Sequence, residues 1–203
     1  MKKFFALTLI AVLCLCCLCS CKKEEFKANI GIDTTGHILH QVEIEIEDYG
    51  TIKLTLDETI APITVQNFIK LANEGFYDGL TFHRVMEGFM MQGGDPKGDG
   101  TGGSPEKIKG EFAINGVINP LPHVRGVISM ARLSYPYDSA SSQFFIMHVD
   151  YPSLNGSYAA FGWVTSGIEI VDAICENTPV VDNNGTVLSK NQPKIKTVRV
   201  VTE

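Results

Sequence analysis

Apolar and acidic residues alternate along residues 42–47, where Val or Ile takes the even positions and Glu takes the odd ones. A period of two is typical of a strand with one buried face. Tyr49-Gly50 interrupts the pattern, and apolar residues then return at every second position over residues 52–56. The two runs together predict a β-hairpin.

Two other segments have the apolar spacing of an amphipathic helix. The first begins at Pro62, a residue suited to the first turn of a helix, and ends before Gly75. The second covers residues 168–176. Cys175 lies among the apolar positions of this second helix, which predicts that it serves as a small core hydrophobe.

Short apolar runs bounded by turn residues predict further strands. They lie at residues 81–85, 89–92, 127–131, 143–147, 159–164 and 195–201. Many strands with two helices predict a mainly β fold, an antiparallel barrel capped by the helices. Residues 21–40 lack consistent periodicity and are interpreted as a tether, with a short added strand near residues 28–32.

The beginning of the chain has the composition of a leader. Two lysines precede residues 4–18, which are apolar except for Thr8. A membrane-spanning helix needs about 20 residues, so this run fits the apolar part of a secretory signal peptide better.

The end of the leader, Leu18-Cys19-Ser20-Cys21, resembles a bacterial lipobox. The resemblance implies cleavage after Ser20 and a lipid on Cys21, which would anchor the protein to a membrane without spanning it. Cys19 is the weaker alternative, because bulky Leu18 would precede its cleavage site. A cleaved signal peptide without lipid is the other alternative.

The chain is therefore predicted to have three parts: a lipoprotein signal peptide at residues 1–20, a lipidated N-terminus and tether at 21–40, and one domain at 41–203. The predicted location is the bacterial cell envelope, outside the cytoplasm, on the periplasmic face or the cell surface. Residues 22–25 (two lysines, then two glutamates) resemble a surface-sorting tract, and a solvated linker is the alternative.

Charge and cysteine content narrow the possible functions. The formal net charge of −6 disfavours binding to nucleic acid. Five of the six cysteines lie within the first 21 residues, which leaves Cys175 without an intramolecular disulfide partner. The domain must then be stabilised by packing.

The stretch from residue 81 to residue 95 carries the strongest chemical signal. It places Arg84, Gln92 and large apolar side chains along an extended segment that ends in glycine, as expected for an apolar pocket with a fixed cation at its edge. Together with residues 142–146 and 161–164, in this order, the stretch resembles the cyclophilin-type peptidyl-prolyl isomerases.

The resemblance covers residues 41–201, nearly all of the chain beyond its leader. It implies a closed eight-stranded barrel with a helix at each end. It also implies a monomeric peptidyl-prolyl cis-trans isomerase that acts on proline-containing polypeptides and needs no metal or other cofactor. Arg84 would be catalytic by favouring the twisted amide, and Gln92 would bond the substrate carbonyl and steady Arg84.

The resemblance also implies a set of substrate-binding residues. They are Phe89, Met90, Ala131, Arg132, Gln143, Phe145, Leu154 and Tyr158. Among them, Phe89, Met90, Phe145 and Leu154 match the proline pocket. Arg132 and Tyr158 depart from the family, which often has Asn and His there, and the charge of Arg132 is expected to alter which peptides bind.

Other chemistries have weaker support. The glycine-rich residues 93–103 suggest a phosphate loop, but no Gly-Lys-Ser/Thr follows. His37 and His40 lack the partner set of a metal site. His83 could act as a general base, although a hydrogen-bonded structural histidine is the favoured interpretation.

Two functional alternatives remain open at this point. One is a proline-binding or chaperone module whose turnover is incidental. The other is a surface adhesin built on the same scaffold.

Overall fold

The computed structural model describes residues 26–201 and is built on one antiparallel sheet with two α-helices. The strands are β1 (Leu39–Ile46), β2 (Gly50–Asp57), β3 (Thr81–Met86), β4 (Met90–Asp95), β5 (Val127–Met130), β6 (Phe144–Met147), β7 (Ala160–Ser166) and β8 (Ile195–Val201). The helices are α1 (Pro62–Asn73) and α2 (Ile168–Asn177). The predicted mainly β class, the hairpin and both helices are confirmed.

The sheet is open rather than closed. Its strand order is β3-β4-β6-β5-β7-β2-β1-β8, so β3 and β8 form the two edges. Within the described residues, the isolated bridge Thr81–Lys194 joins these edges in place of a ladder. The predicted closed barrel is therefore wrong, and the sheet forms an open half-barrel.

The edge of β3 is covered by a segment that precedes β8. The Val85 amide donates to the Gly185 carbonyl at 2.8 Å, and the Phe82 amide donates to the Pro193 carbonyl at 2.9 Å. Pro193 has no amide hydrogen and cannot continue a ladder in the donor direction. The irregular segment thus takes the place that β8 would fill in a closed barrel.

The core lies inside the half-barrel, under α1. Alternate residues of β1 and β2 point into it, and Val42, Ile44 and Leu54 are fully buried. Phe68 of α1 packs on Phe144 of β6 with 5.5 Å between ring centroids. Because successive residues of a strand face opposite sides, burying Phe144 in the core turns Phe145 to the outer face.

The N-terminal segment packs against the half-barrel as far as the structure describes it. Phe26, Ile30 and Ile32 are partly buried against the core. Residues 28–32 form no strand, so the short strand predicted there is wrong. Strand β1, already paired on both sides by β2 and β8, begins at Leu39, inside the predicted tether.

The predicted signal peptide, the lipid site at Cys21 and the tract at residues 22–25 lie outside the described residues. Neither helix between residues 26 and 201 is long and apolar enough to span a membrane. Cys175 is buried in α2, as predicted for a core hydrophobe.

Candidate active site

A cleft of about 460 Å³ lies on the outer face of the half-barrel, beside β3, β4 and β6. Its lining includes every predicted site residue except Gln143: Arg84, Phe89, Met90, Gln92, Ala131, Arg132, Phe145, Leu154 and Tyr158. Gln143 lines an adjoining groove together with Gln92 and Ala131. The structure thus brings together residues that are up to 74 positions apart in the chain.

Sheet register explains how three of these residues meet. Arg84 of β3 pairs with Gln92 of β4, and Gln92 pairs in turn with Phe145 of β6. Side chains that are directly opposite on neighbouring strands share one face of the sheet. A cation, an amide and an aromatic ring therefore stand in one row across the wall of the cleft.

A directed chain of hydrogen bonds fixes the polar end of this row. Arg84 Nη1 donates to Gln92 Oε1 at 3.2 Å, and Gln92 Nε2 donates to Gln143 Oε1 at 2.9 Å. Gln143 Nε2 donates in turn to the Gly102 carbonyl at 2.8 Å. Each amide has its oxygen toward Arg84 and its nitrogen away from it, so the guanidinium is held at one position.

Arg84 has further contacts that hold it at the rim. Its Nε donates to the Asn184 carbonyl at 2.7 Å, and its guanidinium carbon lies 5.8 Å from the centre of the Phe89 ring. Partial burial lowers the pKa of Arg84. The ordinary pKa of arginine is so high that the side chain remains a cation at neutral pH.

The apolar end of the cleft is built by aromatic side chains and a methionine. Met90 and Phe145 are 1% and 5% exposed, although both line the cleft. Phe145 stands edge-on to Tyr158, with ring centroids 5.8 Å apart. These contacts give a concave apolar wall of the kind that holds a small ring.

Arg132 stacks on aromatic rings beside the cleft. Its guanidinium carbon lies 4.6 Å from the Tyr158 ring centre, 4.8 Å from that of Phe112 and 5.1 Å from that of Tyr137. Cation–π contacts of this kind stabilise both the rings and the cation. The side chain therefore supports Tyr158, one of the cleft-lining residues.

The donors of Arg132 are bonded to main-chain carbonyls. Nε and Nη2 both donate to the Ser157 carbonyl, at 2.9 Å and 2.7 Å, and Nη1 donates to the Leu133 carbonyl at 2.8 Å. The expected effect of this charge on peptide choice stays a prediction. The geometry gives the guanidinium a second task, which sequence reasoning missed: it ties two loops beside the cleft.

Replacing Arg132 by alanine should lower the free energy of unfolding by about 1–3 kcal/mol, because stacking and several hydrogen bonds are lost together. Urea unfolding measures this change. Arg132→Lys keeps the charge but not the planar fork, and should restore less than half of the loss. Equal stability of the lysine variant and the wild type would show that charge alone matters.

The glycine-rich loop after β4 folds around Asp95. The amides of Lys97 and Gly100 donate to the two oxygens of this carboxylate, at 2.8 Å and 2.7 Å. A Cβ at Gly102 would come within 2.0 Å of Asp95 Oδ1, so only glycine fits there. The loop thus surrounds a carboxylate of the chain itself, which argues against the phosphate-loop interpretation.

His83 lines the cleft and differs from its predicted state. It is 5% exposed, and neither ring nitrogen has a hydrogen-bond partner within residues 26–201. The predicted burial is confirmed and the predicted hydrogen bonding is wrong. Burial lowers the pKa of His83, which favours the neutral imidazole.

Sequence reasoning also missed a distant part of the cleft. Asn184, Thr186 and Val187 line it and lie about a hundred positions after Arg84. No motif or periodicity in the sequence links this segment to β3. Among residues 26–201, no group of three or more His, Cys, Asp or Glu side chains is arranged to hold a metal ion.

Comparison with known proteins gives consistent matches. The family described as cyclophilin type peptidyl-prolyl cis-trans isomerase/CLD matches residues 41–201. Peptidyl-prolyl cis-trans isomerase B of Bacillus subtilis (strain 168) is 53% identical over 135 residues, 66% of this chain and 86% of that protein. A Helicobacter pylori (strain ATCC 700392 / 26695) peptidyl-prolyl cis-trans isomerase is 49% identical over 127 residues, 62% of this chain and 74% of that protein.

A solved structure is also similar. The crystal structure of a Cryptosporidium parvum cyclophilin type peptidyl-prolyl cis-trans isomerase, determined in the presence of the dipeptide Ala-Pro, superimposes with a TM-score of 0.70. Its sequence is 32% identical, and the match covers 80% of this chain and 99% of that one.

Proposed function

Because this chain belongs to the cyclophilin-type peptidyl-prolyl cis-trans isomerases and is such an enzyme, we propose that Arg84 catalyses the rotation at an apolar proline pocket. The substrates would be Xaa-Pro bonds of polypeptides that fold outside the cytoplasm. The observation that supports this most is the row of Arg84, Gln92 and Phe145 across the cleft wall.

The chemistry follows from the barrier to rotation. Amide resonance gives the C–N bond partial double-bond character, and the barrier is about 18–20 kcal/mol. Resonance is lost in the twisted state, where the proline nitrogen regains a lone pair. A donor that bonds this lone pair stabilises the twisted state and neither planar state, which is the condition for catalysis.

Arg84 is suited to this task because it is a cation held at the rim by Gln92 and the Asn184 carbonyl. The apolar wall of Phe89, Met90 and Phe145 would hold the pyrrolidine ring while the preceding residue rotates. Leu154 and Tyr158 would complete this wall, and Ala131, Arg132 and Gln143 would bind the chain before the proline. The Ala-Pro dipeptide used with the Cryptosporidium protein supports a proline-sized ligand for a cleft of this fold.

An isomerase assay tests this assignment. Exchange between the cis and trans forms of a short Xaa-Pro peptide, followed by NMR, measures rotation directly and needs no coupling protease. Wild type and Arg84→Ala are compared at equal concentration. Equal rates for the two proteins would leave a proline-binding module as the better description of the cleft.

For location, we propose a lipid-anchored protein of the bacterial cell envelope, outside the cytoplasm. The support is the apolar run at residues 4–18 followed by Leu18-Cys19-Ser20-Cys21. Each buried acyl CH₂ contributes about 0.8 kcal/mol, so several chains on Cys21 would give stable attachment. The domain would work as a monomer near the membrane, with residues 22–25 as a linker or sorting tract.

Changing Cys21 to alanine should abolish labelling by a radioactive fatty acid and move the protein from the membrane fraction to the soluble one. Cys19→Ala is the matched control, because it alters the same segment and leaves Cys21 in place. The opposite pattern, with loss of label only in the Cys19 variant, would place the lipid at Cys19.

A further inference from the structure

His148, which follows β6 directly, contacts the turn between β3 and β4 at two points. Its main-chain amide donates to the Phe89 carbonyl at 2.9 Å. Its ring Nδ1 accepts a hydrogen bond from the Gly88 amide at 3.0 Å. One residue therefore holds two consecutive residues of the turn, and the second of these is a wall of the cleft.

The ring of His148 is fixed on its other side as well. Because Nδ1 is an acceptor, the ring proton lies on Nε2, which is 3.4 Å from Asp172 Oδ1 of α2. Arg125 Nη2 donates to Asp172 Oδ2 at 2.7 Å, and Arg125 Nη1 donates to the His148 carbonyl at 2.9 Å. His148 is 8% exposed, so these contacts are shielded from water.

We propose that His148 is a positioning residue for the isomerase reaction, which acts by fixing the Gly88-Phe89 turn and with it the Phe89 wall of the proline pocket. Phe89 is held at its side chain by the Tyr151 ring, with centroids 4.6 Å apart. Its main chain is held by Met86 and by His148. Loss of the His148 acceptor would leave the Gly88 amide unpaired and free the turn to move.

This inference rests on the proposed place of Phe89 in the pocket. It also predicts which half of the imidazole matters. The Nδ1 half contacts the turn, and the Nε2 half faces α2. A residue that acts only as a structural tie to α2 would need the Nε2 half instead.

Two amide substitutions separate these roles. His148→Asn places an oxygen near the former Nδ1 and loses the reach to Asp172, whereas His148→Gln places an amide near the former Nε2 and loses the contact with Gly88. We expect kcat/KM of the Asn variant to stay within about twofold of wild type. The Gln variant should fall roughly five- to tenfold, mainly through a higher KM, because the wall binds planar and twisted amides alike.

Hydrogen exchange of the Gly88 amide gives a second readout that is independent of catalysis. The wild type and the Asn variant should protect this amide, and the Gln variant should expose it. An active Gln variant with a weakened Asn variant would overturn the proposal, as would unchanged Gly88 exchange in both. If the wild type itself fails to isomerise the peptide, the proposed function fails, while the exchange data still test the contact.

Discussion

Replacing Arg84 by alanine should lower kcat/KM for an Xaa-Pro peptide by roughly 100- to 1,000-fold, the usual effect of removing a donor aimed at a transition state. The loss should appear mostly in kcat, because the proposed bond to the proline nitrogen exists only in the twisted amide. The apolar wall remains in the variant and should still bind the peptide. NMR exchange with wild type and variant on the same peptide measures both parameters.

Arg84→Lys is the matched control for charge. Lysine keeps a cation near the rim but cannot donate to Gln92 and the Asn184 carbonyl through a planar fork. Its activity should fall between those of the wild type and the alanine variant. If the alanine variant lost binding and turnover in equal proportion, Arg84 would be a general binding residue and the proposed catalytic role would be wrong.

The regular parts of the fold could be predicted because they leave a periodic trace in the sequence. Alternation identifies β1 and β2, and the spacing after Pro62 identifies α1, since each element has one buried face. The open edge of the sheet leaves no such trace. It depends on the irregular segment before β8, whose main chain bonds to β3 from about a hundred residues away.

The site divides in the same way. Arg84, Gln92 and Phe145 belong to runs whose alternation places them on the outer face, and sheet register does the rest. The contacts of His148 with Gly88 depend on a turn 60 residues away, so neither its role nor its orientation can be read from the local pattern. The engagement of Arg132 by surrounding rings and carbonyls is hidden for the same reason.

A second large effect concerns acid conditions and a histidine behind the pocket. His123 is 1% exposed and stacks on Phe145 with ring centroids 6.0 Å apart. Its nitrogens contact Asn155 Oδ1 at 3.1 Å and Ser129 Oγ at 3.0 Å, both neutral groups. Burial lowers the pKa of His123 to about 4, and the bond to Asn155 offsets only part of that shift.

The sign of the effect follows from the two states. The unfolded chain binds a proton at this histidine below its ordinary pKa of 6.5, whereas the folded chain does so only near pH 4. Stability is therefore complete above pH 6.5 and falls as the pH decreases. The expected loss is about 2 kcal/mol between pH 7 and pH 5, and about 3 kcal/mol by pH 4.

Urea unfolding at pH 7 and pH 5 measures this loss, and His123→Gln supplies the control. Glutamine can still bond Asn155 or Ser129 but does not titrate, so most of the dependence between pH 7 and pH 5 should disappear even if the variant is less stable overall. His83 contributes with the same sign, because burial also lowers its pKa, and His83→Gln separates its share. A wild type that is equally stable at both pH values would contradict the neutral, buried state of His123. Since His123 supports Phe145, the same protonation that destabilises the fold should also loosen the proline pocket, and kcat/KM should decline over the same pH range.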